Sequence, residues 1–313
     1  MYKTLTAAAI ALLATTGALA QSSVTVYGRV NLTAEQVESN GIKTKQLVNN
    51  ASRLGFKGVE DLGGGLRAGF LLEHRFDAST GVPAGRFYAG GSEVYLGSNS
   101  FGTIRLGQFI SDAYFATADY VSMHNHDTGN SEDKLYAYLG RNTNKIGYRT
   151  PELVKGLTAE ASASATEGAA NTPYRNYDGA INYQLGKLAM GLGYEKAGPS
   201  NQFAVRGLYD FGAFILGGYV QRHDDDRLGD RMIYRISGAV IAGASEFHLN
   251  YGHAEEYKRL AGSDADQFTV AYNYNLSKRT KVYAFYTKVD DSRRISGTAG
   301  DFNSFALGMR HNF

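Results

Sequence analysis

The sequence predicts an all-β fold: an antiparallel transmembrane β-barrel of about sixteen strands. Three observations predict it. Segments with alternating apolar and polar side chains recur along nearly the whole chain, with few residues between them. Short turns alternate with long polar connections, which is typical of strands that cross a membrane and return. Beyond the N-terminus no segment approaches the ~18 consecutive apolar residues of a spanning helix, and only helices and closed barrels satisfy every backbone hydrogen bond in lipid.

The segment 305–313 shows the alternation in its simplest form. Its large apolar side chains are Phe305, Leu307, Met309 and Phe313, and its small or polar ones at even positions are Ala306, Gly308, Arg310 and Asn312. Because successive side chains of a strand point to opposite faces, one face is apolar and the other is polar. A chain built almost wholly of such strands indicates lipid outside and water inside. We expect the last strand to pair with the first, so that no sheet edge remains.

The N-terminus has the three parts of a secretory signal peptide. Lys3 supplies the charge, residues 7–14 are largely apolar, and Ala18-Leu19-Ala20 is a small-x-small cleavage site. We therefore expect removal of residues 1–20 and a mature chain, 21–313, that forms a single barrel domain.

Composition excludes several classes of function. The formal net charge is only +2, which argues against a strongly basic nucleic-acid-binding domain. Cysteine is absent, which excludes a disulfide framework and a thiolate metal site. We expect no cofactor, no metal and no nucleic-acid partner.

The first three predicted strands include a hairpin. In 23–35, valine and leucine at even positions alternate with polar residues at odd positions. The next two strands, 52–60 and 66–76, are joined by the glycine-rich turn 61–65.

Three more strands follow, and the third of them has a clear end. A polar connection, 98–102, joins 86–97 to 103–109, and the sixth strand, 142–150, stops at Pro151. Proline has no N–H to donate to a β-ladder, which explains that boundary.

The rest of the chain is a regular meander of ten strands. Alternation is cleanest in 267–276, and it is ambiguous in 213–221 and 281–289. The ten predicted segments are 157–166, 176–185, 187–195, 202–211, 213–221, 231–242, 246–254, 267–276, 281–289 and 303–313.

One connection, 110–140, is the first functional suspect. It lacks clean alternation, and loops longer than about 12–15 residues are usually functional. An ordinary external loop is the alternative.

Several phrases of the sequence, taken together and in order, carry a family resemblance that covers nearly all of 21–313. They are Gln21 to Gly28, Ser52 to Gly58 with Glu60 to Leu66, Phe101 to Thr103, Arg141 to Tyr148 with Thr150-Pro151, and Gly308 to Phe313. In these phrases the chain resembles the Gram-negative general-diffusion porins, a family of trimeric, sixteen-stranded outer-membrane proteins, and most closely its β-proteobacterial branch.

The resemblance implies a third loop that folds into the lumen and faces an arc of basic side chains at the constriction. Arg53 and Arg141 match motif positions that supply arc arginines, and Arg29 matches a basic constriction position. Alternation independently directs Arg29 and Arg53 inward, and by the same parity Arg75 and Arg105 join the candidates. The candidate acids of the facing loop are Asp112, Asp119, Asp127, Glu132 and Asp133.

Two departures from the family pattern affect the expected selectivity. Ser92 and Gln108 stand where relatives often carry arginine. We therefore expect an arc that is weaker or shifted, and only a weak to moderate preference for anions.

The resemblance further implies a water-filled channel for passive diffusion of small hydrophilic solutes and ions, located in the outer membrane and without enzymatic activity. The implied partners are two further copies in a homotrimer, outer-membrane lipid and lipopolysaccharide, periplasmic chaperones and the outer-membrane assembly machinery. Phe313 would be the signal that this machinery recognises.

Other interpretations remain open at this point. The inward arginines could be structural, pairing with Glu60, Glu73 or Asp77. His124 and His126, with Asp127 and Glu132, could hold a metal, although matching ligands are not evident elsewhere. A substrate-specific channel would keep the architecture and add a saturable site. An outer-membrane hydrolase would need a nucleophile and base, and the histidines have no serine partner at a recognisable spacing.

A further pair of residues, Gly191-x-Gly193, is not expected to bind phosphate. The pair lies inside a predicted strand, without the strand-to-helix context that a phosphate loop requires.

Overall fold

The computed structural model describes residues 23–118, 129–139, 142–165, 174–291, 293 and 300–313. The expected signal peptide, 1–20, lies outside them, as do Asp119, Asp127 and Arg141 of the expected constriction.

The described residues form seventeen β-strands, one short helix and one 3-10 turn. The strands are β1 (Ser23–Ser39), β2 (Ile42–Asn49), β3 (Arg53–Gly63), β4 (Leu66–Arg75), β5 (Gly91–Ser98), β6 (Gly102–Gln108), β7 (Lys145–Arg149), β8 (Leu157–Ser164), β9 (Asn176–Leu185), β10 (Leu188–Ala197), β11 (Ser200–Asp210), β12 (Phe214–Asp225), β13 (Gly229–Ala242), β14 (Ser245–Ala254), β15 (Ala265–Asn275), β16 (Thr280–Asp290) and β17 (Phe302–Asn312). The helix, α1, is Asp112–Thr117, and the 3-10 turn is Gly129–Ser131.

The strands form a single closed antiparallel sheet. Strands that follow each other in sequence pair, except β2 and β3, and β17 returns to pair with β1, from Arg29 opposite Asn312 to Ser39 opposite Phe302. Phe313 extends this seam, because its N–H donates to the carbonyl of Gly28 at 3.1 Å and its carbonyl accepts from the N–H of Gly28 at 3.0 Å. The expected closure of the barrel is confirmed.

Seventeen strands occupy sixteen positions in the barrel, because β2 and β3 share one position. The second half of β1 pairs with β2, and its first residues, 23–29, pair with β3. The chain breaks regular geometry between them, where Ala51 has a φ of 55°. The N–H of Asn50 still donates to the carbonyl of Asn31 at 2.9 Å, so pairing with β1 continues into the break. The sixteen-stranded architecture predicted from the alternation is confirmed.

The hairpin between β1 and β2 was not predicted from the sequence. The first strand continues to Ser39 instead of ending at 35, and β2 fills part of the expected connection. The turn is Asn40-Gly41, with φ values of 53° and 76°. Positive φ at both central residues is the geometry that an Asn-Gly pair favours in a two-residue hairpin.

Two other boundaries also differ. The predicted strand 86–97 begins only at Gly91, because residues 86–89 form a turn in which the N–H of Ala89 donates to the carbonyl of Arg86 at 3.0 Å. The predicted strand 142–150 is the shorter β7.

The two faces of the sheet are inverted relative to a soluble protein. In β15, Phe268, Val270 and Tyr272 are 41, 39 and 37% exposed, whereas Gln267 and Thr269 are fully buried. An exposed apolar face and a buried polar face suit a wall with lipid outside and a polar interior. No helix among the described residues is long and apolar enough to cross a membrane.

Candidate functional site

A cavity of about 750 Å³ lies between the polar faces of β3–β6 and the segment that includes α1 and residues 130–138. Its charged lining among the described residues consists of four cations and four carboxylates. They are Arg53, Arg75, Arg105, Lys134, Glu73, Glu93, Glu132 and Asp133. The cavity therefore joins several of the predicted basic residues to two of the predicted loop acids.

Three of the predicted basic residues form a row across adjacent strands. Arg53 of β3 stands opposite Arg29 of β1 on one side and opposite Arg75 of β4 on the other. Between them lies Glu73, whose oxygens are 3.9 Å from the Nε of Arg53 and 3.5 Å from the Nε of Arg75. Within this group two guanidinium groups face one carboxylate, so positive charge predominates within the group.

Arg29 and Glu73 have further partners that fix the row. The Nε of Arg29 donates to Asn312 at 3.1 Å across the closing seam. The hydroxyl of Tyr27 donates to Glu73 at 3.0 Å. Glu73 was one of the acids offered for a structural pairing, and the row shows such pairing. Asp77, another of them, instead accepts from the N–H and hydroxyl of Ser79.

Arg105 is placed differently, because carboxylates surround it. Its Nε lies 2.9 Å from Glu93, and its Nη1 lies 3.0 Å from Asp112 and 3.8 Å from Glu160. The guanidinium also lies over the ring of Phe109, 4.0 Å from the centroid. Such close pairing cancels most of its field in the cavity, so Arg105 mainly fastens the start of α1 to the wall.

The three described loop acids have different surroundings. The side chain of Asp133 is only 3% exposed, accepts from Arg235 at 2.7 Å and from the hydroxyl of Tyr219 at 2.6 Å, and thereby holds the segment to β12 and β13. Asp112 is also buried, and the burial, followed by the nearby charge of Glu160, raises its pKa to about 6.

Glu132, in contrast, is partly exposed on the cavity and contacts Lys134. Of the predicted acids that the structure describes, it is the one whose side chain faces the cavity most openly, at 36% exposure.

Side chains of the wall replace a β-ladder along the segment 132–139. Gln221 accepts from the N–H of Ala137 at 2.8 Å and donates to its carbonyl at 2.9 Å. Gln267 accepts from the N–H of Lys134 at 3.0 Å and donates to the carbonyl of Glu132 at 2.7 Å. These paired bonds hold the backbone of the segment against the polar face of the barrel.

The helix α1 packs directly on the backbone of β10. A side-chain carbon at Gly191 would lie 2.0 Å from the carbonyl oxygen of Ala116, and one at Gly193 would lie 2.7 Å from that of Ala113. Only glycine permits this approach. The Gly191-x-Gly193 pair is therefore a docking surface for α1, a role that the sequence reasoning missed.

The sequence reasoning also missed the aromatic side of the cavity. Tyr114, Phe115 and Tyr138 line it together with Arg53 and Arg75. Their only sequence signal was their concentration in a long connection without alternation.

Phe313, the predicted assembly signal, lies in the seam. The ring of Phe313 covers Gly28, where an added side-chain carbon would lie 2.3 Å from the ring. The histidines offered as metal ligands, His124 and His126, lie outside the described residues. Within the described residues, no three potential metal ligands form a cluster.

Comparison with known proteins adds a family match. The family model described as Gram-negative porin matches residues 6–294. Outer membrane porin protein 32 of Delftia acidovorans is 31% identical over 310 residues, which span 88% of this chain and 86% of that protein. An outer membrane porin protein of Bordetella pertussis is 25% identical and covers the full length of both chains.

Solved structures agree. The anion-selective porin from Comamonas acidovorans superimposes with a TM-score of 0.77 at 26% identity, over 94% of this chain and all of that chain. The trimer form of OmpT of Vibrio cholerae has a TM-score of 0.70 at 18% identity, over 93% of this chain and 99% of that one, a likeness of fold alone.

Proposed function

Because the chain belongs to the Gram-negative porin family and is a protein of the outer membrane, we propose that it forms a water-filled channel for passive diffusion of small hydrophilic solutes and ions, with a weak to moderate preference for anions. The observation that carries this proposal is the cavity of about 750 Å³, which Arg53 and Arg75 of the arginine row line. In this proposal α1 and residues 129–139 belong to the third loop, and they narrow the lumen.

The preference for anions has an electrostatic origin. A fixed charge beside a narrow passage, where protein displaces part of the water, acts on an ion more strongly than it does in bulk water. The row of Arg29, Arg53 and Arg75 carries more positive charge than Glu73 cancels. The anion-selective character named for the Comamonas acidovorans porin supports the same sign here.

The preference is weak to moderate because most other charges of the cavity are balanced. Arg105 is surrounded by carboxylates, and Lys134 contacts Glu132. Gln108, at a position where relatives often carry arginine, donates to the carbonyls of Tyr88 and Ala89 and adds no charge.

The remaining expectations belong to the same proposal. We propose that residues 1–20 are removed on export, that the chain works as a homotrimer, and that Arg141 completes the basic arc. The match to the Gram-negative porin family supports the second point, because the porins that the sequence resembles are trimers. Lipopolysaccharide, periplasmic chaperones and the assembly machinery are the further partners.

The conductance of the purified protein in planar bilayers tests the proposed function. A diffusion channel gives discrete conductance steps that rise in proportion to potassium chloride concentration, because ions pass without saturating a site. Conductance that saturates at low salt would instead favour a substrate-specific channel, and the absence of steps would contradict channel function altogether.

A further inference from the structure

We propose that the cavity holds a subsite for planar aromatic carboxylates, with the carboxylate on Arg75 and the ring against an aromatic surface formed by Tyr114, Phe115 and Tyr138. This subsite rests on the proposed channel function and names a class of solute that the channel would retain in passing.

The aromatic surface is exposed where a polar lining would be expected. Phe115 and Tyr138 are 36 and 39% exposed, although they belong to the segment that packs on the polar face of the barrel. By contrast, Phe109, in the same region, is only 3% exposed and lies beneath Arg105 and Lys145. Contact between water and an exposed aromatic ring is unfavourable. A solute that covers the rings removes this contact and is stabilised by doing so.

The three rings form a continuous surface. Tyr114 lies between the others, with its centroid 5.9 Å from that of Phe115 and 5.4 Å from that of Tyr138, and the Tyr138 pair meets edge to face. A further flat ring can extend such an arrangement, because offset-stacked and edge-to-face contacts at about 4.5–7 Å are favourable. An aliphatic solute gains only the burial of its surface.

Arg75 supplies the anion contact. Its side chain is 33% exposed on the cavity, and the buried part includes its Nε, so a solute would meet the other nitrogens of the guanidinium. A carboxylate oxygen of Glu73 lies 3.5 Å from this Nε. The same carboxylate lies 3.9 Å from the Nε of Arg53 and accepts a hydrogen bond from the hydroxyl of Tyr27. A guanidinium that shares its carboxylate in this way can bind a carboxylate of a solute through charge-assisted hydrogen bonds.

The cavity also has a suitable volume. Its 750 Å³ lies within the range of about 300–1,000 Å³ that is usual for small-molecule sites. A single-ring acid would leave room for water beside it, so it would be retained briefly and then pass on. Conduction needs this balance, in which binding favours entry without preventing exit.

Block of the chloride current by organic anions tests the subsite. Benzoate, cyclohexanecarboxylate and acetate are added to the wild-type channel in planar bilayers. Benzoate and cyclohexanecarboxylate carry the same charge and similar bulk, but only benzoate is flat and aromatic. We expect saturable block by benzoate at a concentration roughly 3- to 10-fold lower than that required for cyclohexanecarboxylate, with acetate the weakest.

Variants separate the two halves of the subsite. Phe115→Leu and Tyr138→Leu keep apolar bulk but remove a ring, so each weakens benzoate block about 3-fold or more and leaves acetate unchanged. Arg75→Gln weakens the block of the current by benzoate and by acetate. Phe101→Leu, which changes a ring 80% exposed in the turn between β5 and β6, is the matched control and changes neither.

Equal block by benzoate and cyclohexanecarboxylate in the wild-type channel would overturn the subsite without any variant. Unchanged benzoate block in both leucine variants would overturn it as well. In either case the channel still conducts, whereas a protein without conductance would defeat the proposed function itself.

Discussion

At the scale of single residues, the electrostatics of the cavity depend on how each guanidinium is paired. Arg105 contacts three carboxylates at 2.9–3.8 Å, whereas Arg75 shares Glu73 with Arg53. Both arginines were candidates on the same evidence of strand parity. Parity shows which face a side chain occupies, but it does not show which distant carboxylates the fold brings to it, and Asp112 belongs to a connection without any periodic pattern.

Asp112 is expected to make the proposed preference for anions depend on pH. Its pKa is raised to about 6, so it is ionised at pH 7 and protonated at pH 5. Protonation removes one negative charge beside Arg105, 3.0 Å away, and makes the cavity more positive. We therefore expect the anion preference to increase as pH falls from 7 to 5, with a midpoint near 6, measured as the zero-current potential in a salt gradient.

The variant Asp112→Asn removes this titration while keeping a similar side-chain shape. Its zero-current potential is expected to stay nearly constant between pH 7 and pH 5. A step near pH 6 that persists in the variant would assign the titration to another group.

At the scale of elements, the position of α1 is set by the backbone of β10. Three short side chains of the helix, Ala113, Ala116 and Thr117, are almost fully buried. Opposite them, Gly191 and Gly193 leave no side chain in the way. The close contact places the rest of the helix, with Phe115, on the cavity side.

Gly191→Val is expected to move α1 off the wall and into the cavity. The first added carbon would lie 2.0 Å from the carbonyl oxygen of Ala116, so the helix must shift by about 1.5 Å to restore an ordinary contact. We expect a lower single-channel conductance and a loss of about 1–3 kcal/mol in stability, as is usual for overpacking. Conductance steps and thermal unfolding measure the two effects.

Gly207→Val, on β11, is the matched control. An added carbon at Gly207 has no neighbour within 4 Å, so its conductance should equal that of the wild type. If Gly191→Val also conducted normally, α1 would not set the width of the passage.

The hairpin of β1 and β2 shows what alternation alone misses. Ile42 and Leu47 are 68 and 64% exposed, but they are separated by polar residues without a regular period. The pairing there follows from the turn, because Asn40-Gly41 readily adopts the positive φ values observed. The other strands were predictable because each has one lipid-facing and one polar side, which imposes a period of two.

At the scale of the whole molecule, closure of the barrel depends on the pairing of its first strand, β1, with its last strand, β17. Phe313 completes the ladder with Gly28 and covers it with its ring. Sixteen positions were predictable from strand-like segments, since only a closed sheet leaves no open edge in lipid. The division of one position between β2 and β3 was not predictable, because it depends on the irregular backbone at Ala51.

Deletion of Phe313 is expected to reduce assembly far more than conductance. The deletion removes the backbone pair with Gly28 and the terminal aromatic residue that we propose as the assembly signal. The quantity of folded protein in the outer membrane is compared with the single-channel conductance of the molecules that do assemble. Phe313→Tyr, which keeps an aromatic terminus, should assemble normally, and normal assembly of the deletion variant would refute the signal.

The zero-current potential of the variant Arg53→Glu/Arg75→Glu tests the central claim, that the arginine row sets the anion preference of the channel. Potassium chloride is tenfold more concentrated on one side of a planar bilayer, and Arg227→Glu, which changes a side chain 89% exposed in a loop, is the control for the reversal of surface charge. The wild type and the control should give a potential of the sign for chloride preference. The double variant should shift to zero or to the sign for potassium preference, and a potential unchanged from the wild type would contradict the account.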